Sequence, residues 1–355
     1  MIVLFLTGLL AMIMLRTLRK DLSRYNELDS REETADESGW KLVHGDIFRP
    51  PQRPALLSVY VGTGVQVLAM SVITMAFAVF GFLSPANRGA LMTALILLFV
   101  LMGVPAGVVS ARLYKALSGT DWRMTTLKTA LMFPGMIFLI FFSLNMFIWG
   151  QKSSGAVPFG TFFALLVMWF GVSVPLVYLG SYIGYRMPRL EFPTKTNMIP
   201  RTVPKQAWYT TPLFSILVGG ILPFGAVFIE LFFILSSIWL HQYYYVFGFL
   251  LIVFVILIIT CAEITIVMCY FQLCAEDYNW WWRAFLTSGS SGLYLFLYSL
   301  IYMSTKMVMT RGVSVLLYVG YMLIASYSFF MLTGAVGFLA CFAFVRAIYG
   351  AVKVE

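Results

Sequence analysis

Residues 247–271 read FGFLLIVFVILIITCAEITIVMCYF, and Glu263 is the single charged residue among them. An α-helix rises 1.5 Å per residue, so this stretch forms a helix of about 37 Å, which exceeds the roughly 30 Å hydrocarbon core of a bilayer. The stretch lies within a longer apolar run, 242–275, which predicts a membrane-spanning helix.

The composition extends this conclusion to the whole chain. Of the 355 residues, 61% are hydrophobic and 11% are charged, whereas a soluble domain has about 45–50% apolar and 25% charged residues. A water-soluble globule of this size could not bury so much apolar surface. The composition excludes a soluble enzyme, a nucleic-acid-binding domain and a disordered chain, and it predicts a polytopic membrane protein.

Apolar runs between charged segments predict an all-α transmembrane bundle of nine spans. They are 1–15, 55–83, 90–111, 129–149, 157–185, 207–240, 242–275, 284–305 and 312–345. The first run covers only about 22 Å as a helix. Its basic residues follow it, which is the wrong order for a signal peptide. We interpret it as the end of a first helix whose beginning is missing from the sequence.

Lysine and arginine decide the predicted orientation, because cytoplasmic loops carry an excess of both. The loops on the side of residues 16–54 hold 20 of the 24 basic residues, and those on the other side hold four. This side is therefore predicted to be cytoplasmic, with the N-terminus lumenal and the C-terminus cytoplasmic. The chain divides into a truncated first helix (1–15), a polar cytoplasmic linker (16–54), an eight-helix bundle (55–345) and a cytoplasmic tail (346–355).

Aromatic and small residues mark details of the bundle. Trp208, Tyr209 and the three tryptophans at 280–282 lie at predicted cytoplasmic span ends, where an aromatic belt is expected. Glycines four residues apart at 103–107 and 180–184 favour close packing of helices within the bundle over a dimer interface, and the Ser-Gly-Ser-Ser-Gly stretch at 288–292 is interpreted in the same way.

Two acidic residues, Glu230 and Glu263, lie inside predicted spans. An ionised carboxylate in lipid costs at least about 2.5 kcal/mol, so each is expected to face the bundle interior or to be protonated. Pro223 and Gly225 precede Glu230 and predict a kink, a feature of transporter sites. Either the two acids serve a proton or ion path, or each hydrogen-bonds a neighbouring helix.

The sequence contains no catalytic motif, and its four cysteines show neither a disulfide framework nor a zinc-site spacing. We therefore predict no enzyme, no cofactor and no metal site. The chain ends in Lys353-Val354-Glu355, and a lysine two residues before the terminal carboxylate could serve as a retrieval signal for a coat protein.

Four strings resemble those of one family, the transmembrane 9 superfamily or nonaspanins. They are GWKLVHGDIFRPP at 39–51, the run from Ile-Pro-Arg at 199–201 to Trp-Tyr at 208–209, GILPFGAVFIELFF at 220–233, and YFQLCAEDY at 270–278 followed by Asn-Trp-Trp-Trp. The resemblance runs essentially from end to end. It implies the membrane region of such a protein, without the family's signal peptide and large lumenal domain.

The resemblance also implies a function. Members are multi-pass proteins of Golgi and endosomal membranes that aid the surface localisation of other membrane proteins, especially clients with glycine-rich transmembrane segments. The family's retention signal for the COPI coat maps onto Lys353 and Glu355. The expected partners are the lipid bilayer, the COPI coat and client proteins, with no nucleic acid. The alternative is a proton- or ion-coupled transporter or channel that uses Glu230 and Glu263.

Overall fold

The computed structural model describes residues 2–28, 39–82, 89–153, 155–240, 246–308 and 311–352, and in this part of the chain every regular element is helical. The side chains of Ile2 and of residues 27–28, 229–230 and 232–247 lie outside the description. The α-helices are α1 (Ile2–Leu28), α2 (Pro54–Val79), α3 (Ala90–Leu101), α4 (Gly103–Ala116), α5 (Trp122–Gly150), α6 (Phe159–Met168), α7 (Val174–Arg186), α8 (Pro212–Leu240), α9 (Val246–Cys274), α10 (Trp281–Lys306) and α11 (Gly312–Ala351).

Among the residues that the structure describes, seven segments are long and apolar enough to cross a membrane, and they confirm a polytopic all-α membrane fold. They contain α2, α3–α4, α5, α6–α7, α9, α10 and α11. The other two predicted spans lie in α1 and α8, and the apolar part of α8 with described side chains is Pro212–Phe228. The count of nine and the orientation of the termini remain predictions.

Prolines explain where the spans are interrupted. Pro105 lies in the first turn of α4, where it cannot donate to the carbonyl of Leu101, and α3 ends at that residue. A π-helical turn, Trp169–Ser173, separates α6 from α7 just before Pro175. By contrast, α8 continues through Pro223 and Gly225 to Leu240 as one helix.

The core of the bundle lies among α2, α10 and α11. In each of these helices, half or more of the residues in the most apolar window are buried, against about a fifth in α3 to α7. α4 packs on α2 and α7, while α8 and α9 pack on α10 and α11. α1 contacts the bundle through α9 and continues as a helix to Leu28, beyond the apolar run 1–15.

Residues 39–52 form a capping segment at the basic end of the bundle, the end that the sequence predicts to be cytoplasmic. Trp40, Val43 and Ile47 in this segment are fully buried. The Tyr349 hydroxyl of α11 donates to the Trp40 carbonyl (2.6 Å), and the Asn197 amide donates to the Gly45 carbonyl (2.8 Å). The capping segment therefore lies between the helix ends and the loop that precedes α8.

The prediction of an aromatic belt at 280–282 is wrong for Trp280 and Trp281, which are buried, whereas Trp282 is half-buried. Trp280 and Trp281 are buried, and the indole N–H groups of Trp280, Trp281 and Trp282 donate to the carbonyls of residues 47, 49 and 52 at 2.8–2.9 Å. A buried indole N–H needs an acceptor, and the backbone of the capping segment supplies one for each.

Candidate functional site

The first half of α10 carries an unusual number of buried polar side chains for a membrane helix. Arg283, Thr287, Ser288, Ser290 and Ser291 are each at most 8% exposed. Buried polar groups need hydrogen-bond partners, and here the partners come from three neighbouring helices. We call this region, where α10 meets α8, α9 and α11, the polar seam.

α10 binds the backbone of α8 and of the turn before it. The Arg283 guanidinium donates to the Thr210 carbonyl (2.9 Å), the Ser290 hydroxyl to the Ile216 carbonyl (2.7 Å) and the Tyr294 hydroxyl to the Leu217 carbonyl (2.6 Å). The two helices come this close because Gly220 of α8 faces Ser290 and Ser291, and a Cβ there would collide with the α10 backbone. The contact between α8 and α10 thus combines close packing at a glycine with directed hydrogen bonds.

Toward α9 and α11 the seam continues through hydroxyl groups. The Ser288 hydroxyl donates to the Cys261 carbonyl (3.1 Å), so Thr265 is the donor in the close contact between Thr265 Oγ1 and Ser288 Oγ. The Ser291 hydroxyl donates to the Ser288 carbonyl of its own helix (2.7 Å), and its oxygen lies 3.3 Å from Thr333 Oγ1 of α11. In the seam, α10 is thus hydrogen-bonded to α8 and α9 and in polar contact with α11.

A buried ion pair closes the seam at the basic end. Arg283 Nη1 lies 2.9 Å from Asp277 Oδ2, and the two side chains are about a tenth exposed. Asp277 also accepts from the Asn279 amide (3.0 Å), and Arg283 donates to Ser215 Oγ (2.7 Å). The hydrogen bonds around both charges offset the cost of removing them from water.

A small cavity lies beside this ion pair, between α8, α9 and α10. Ser215, Thr265, Gln272, Arg283 and Thr287 supply its polar wall. Within the described residues, no group of three or more His, Cys, Asp or Glu side chains could hold a metal ion. The described side chains of the seam offer hydrogen-bond donors and acceptors and the ion pair of Arg283 with Asp277.

Comparison with known proteins identifies the family. The sequence matches the family described as "Endomembrane protein 70" over residues 1–313. It is 67% identical along its whole length to "Transmembrane 9 superfamily member 10" of Arabidopsis thaliana, covering 56% of that protein. The chain belongs to the transmembrane 9 superfamily. No solved structure matches it.

Other superfamily members show the same relation to this chain. Human "Transmembrane 9 superfamily member 2" is 55% identical over 354 residues, with 53% of that protein covered, and human "Transmembrane 9 superfamily member 4" is 54% identical, with 55% covered. The chain spans about half the length of the curated relatives it matches. The resemblance found in the sequence is thereby confirmed.

The structure describes only some of the predicted site residues of this superfamily member. Lys353 and Glu355 lie outside the described residues, and Glu230 belongs to α8 with a side chain outside the description. Glu263 of α9 is half-buried and within hydrogen-bonding reach of the Thr7 hydroxyl of α1. Glu263 does not line the cavity.

Sequence reasoning missed the residues that the structure brings together. The sequence places Asp277 and Arg283 between the predicted spans 242–275 and 284–305, and it marks Gln272 only as part of the family string at 270–278. The available signal was the density of polar residues from 283 to 291 in a helix that must lie in the membrane. The close-packing interpretation of 288–292 is confirmed, because Gly289 and Gly292 face Phe330 of α11.

Proposed function

We propose that the chain is the membrane part of a protein that sorts other membrane proteins in Golgi and endosomal membranes and aids their surface localisation. The observation that carries this proposal is the whole-length similarity to transmembrane 9 superfamily members. The family description, an endomembrane protein, supports an internal membrane as its location.

Client proteins would be bound through the lipid-facing side of the bundle. α5, α6 and the π-turn expose large apolar side chains such as Leu139, Phe163 and Phe170, each more than half exposed. Gly160 of α6 has no neighbouring atom within 4 Å of a Cβ built on it. A glycine-rich client helix packs well on such a surface, since helix association in lipid depends on close van der Waals contact.

The client proposal is tested with a reporter whose transmembrane segment is rich in glycine, expressed in cells that lack the endogenous protein. Re-expression should raise the reporter's surface level, measured by flow cytometry, and should leave a matched reporter with leucines at the glycine positions unchanged. An equal response of both reporters would contradict recognition of glycine-rich segments.

The tail would set the location. α11 ends at Ala351, so a Lys353/Glu355 signal follows it directly and would be read by the COPI coat. Changing Lys353 and Glu355 to alanine should move the protein from the Golgi to later compartments or the surface, as seen by fluorescence microscopy. Lys205→Ala, in an exposed loop of the same basic end, is the control. Golgi residence that survives the double change would overturn the retention proposal.

The second candidate function is a proton- or ion-coupled transporter or channel. It is favoured by the position of Glu263, a half-buried carboxyl in an apolar helix beside the Thr7 hydroxyl. In proteoliposomes with a pH-sensitive dye, proton flux should disappear in Glu263→Gln and in Glu230→Gln and persist in Glu191→Gln, whose loop position lies outside the spans. Absence of flux in the unmodified protein would decide against transport of protons.

A further inference from the structure

One buried polar residue in the wall of the seam cavity has a side-chain nitrogen without a hydrogen-bond partner in the described residues. Gln272 is 4% exposed and its side chain lines the space, yet its Nε2 has no hydrogen-bond partner in the described part of the chain. Five other buried side-chain polar atoms there share this property, and none of their residues lines the cavity. Burial of an amide without a partner is unfavourable, which indicates that a molecule in the cavity supplies it.

The neighbouring side chains define what that molecule must do. The Thr287 hydroxyl donates to the Arg283 carbonyl (2.6 Å), and the Ser215 hydroxyl donates to the Pro212 carbonyl (3.2 Å). The hydrogens of both hydroxyls are therefore used, while their oxygens can accept. A ligand that fits must accept from the Gln272 amide and donate to hydroxyl oxygens, and water does both.

The size of the cavity agrees with this chemistry. The cavity has a volume of about 10 Å³, which is close to the space that one water molecule requires. A lipid headgroup or an organic solute is too large. Apolar cavities stay dry, but a polar cavity with several convergent hydrogen-bonding groups holds water.

We propose that this cavity binds one ordered water molecule that accepts from Gln272 Nε2 and donates to hydroxyls of α8 and α10. The water joins Gln272 of α9 to Ser215 of α8, which already accepts from Arg283, and to Thr287 of α10. It also supplies the polar link between Gln272 of α9 and the seam. The inference is independent of the proposed sorting function.

The test uses hydroxyl radicals formed by X-ray radiolysis, which oxidise side chains next to bound water. In the protein in lipid nanodiscs, Cys269, which lines the cavity and is 3% exposed, should be oxidised several-fold faster than Cys261. Cys261 is the matched control, because it is a buried cysteine of the same helix that does not line the cavity. Equal rates at the two cysteines would overturn the proposal.

Variants of Gln272 sharpen the test. Gln272→Met keeps the approximate volume and removes the amide donor, so oxidation of Cys269 should fall to the Cys261 rate. Gln272→Asn keeps an amide N–H donor and should retain faster labelling than Gln272→Met. Fast labelling that survives in Gln272→Met would mean that Gln272 does not hold the water. If Gln272→Met fails to fold, a cryo-electron microscopy map of the unmodified protein decides, by the presence or absence of density for water beside the Gln272 amide.

Discussion

Several described helix pairs approach closely at glycine, and two of them, α4–α7 and α8–α10, are held together differently. In α4–α7, the glycines at 107 and 180 face backbone carbonyls of the partner helix, and the hydrogen bond between these helices at that level, from Ser181 to the Gly107 carbonyl, is long at 3.4 Å. In α8–α10, Gly220 lies one turn after the carbonyls of Ile216 and Leu217, which accept short hydrogen bonds from Ser290 and Tyr294. The first pair depends on shape, and the second on shape and directed polar contacts.

The largest effect is expected at the ion pair that closes the polar seam. Asp277→Ala leaves the buried Arg283 without its partner and should lower the free energy of unfolding by about 3–5 kcal/mol. The measurement is the unfolding free energy in lipid bicelles. The adjacent Glu276→Ala is the control, because its ion pair with Arg201 (3.0 Å) is about a third exposed and a surface pair contributes at most about 1 kcal/mol. Similar losses of unfolding free energy in both variants would contradict the prediction that the buried pair of Asp277 stabilises the protein more than the exposed pair of Glu276.

The shape-dependent pair should respond to one added methyl group. Gly107→Ala places a Cβ against the Val177 carbonyl oxygen and the Ser181 nitrogen, backbone atoms that cannot rotate away, and it should destabilise the protein by about 1–3 kcal/mol. Gly160→Ala meets no atom within 4 Å and should stabilise α6 by up to about 1 kcal/mol through helix propensity. Thermal unfolding followed by size-exclusion chromatography would show melting temperatures shifted in opposite directions. A Gly107→Ala protein as stable as the unmodified one would contradict the claim that close packing at glycine holds α4 and α7 together.

The smallest effect is expected from a single hydrogen bond of the polar seam. Tyr294→Phe removes the donor to the Leu217 carbonyl, and hydrogen bonds between membrane helices contribute about 0.6 kcal/mol on average. Tyr321→Phe, at an exposed position of α11, should leave the unfolding free energy unchanged. If Tyr294→Phe destabilises the protein more than Gly107→Ala does, the polar contacts outweigh close packing, and the ranking of the two helix pairs is reversed.

Much of the fold could be predicted from the sequence, because the bilayer makes hydropathy and length decisive. The spans around residues 55–83 and 312–345 correspond to α2 and α11. The glycine pairs were also interpreted correctly, since few other residues allow backbones to approach so closely in lipid. These predictions depend on local properties, which a sequence displays directly.

The polar seam and the capping segment could not be predicted in the same way. The Trp280 indole reaches the Ile47 carbonyl across 233 positions of sequence, and nothing near Trp280 distinguishes that partner from a lipid headgroup. Asp277 and Arg283 are close in sequence, but a loop pair and a buried pair look alike until the surrounding helices are placed. The hydropathy of a segment reports the free energy of its transfer from water into lipid. It does not show which part of the chain packs on the end of the helix.

The three indoles of 280–282 bind backbone carbonyls of the capping segment at residues 47, 49 and 52. Every residue type offers a carbonyl, so replacing the side chains at these three positions leaves every acceptor present. Inserting or deleting one residue between 47 and 52 would instead shift the carbonyls relative to the indoles, so that the three hydrogen bonds could not all form. The three indole contacts are thus constrained by the length of the chain between their acceptors, whereas the side chains of the capping segment are constrained separately by packing, since Ile47 is fully buried.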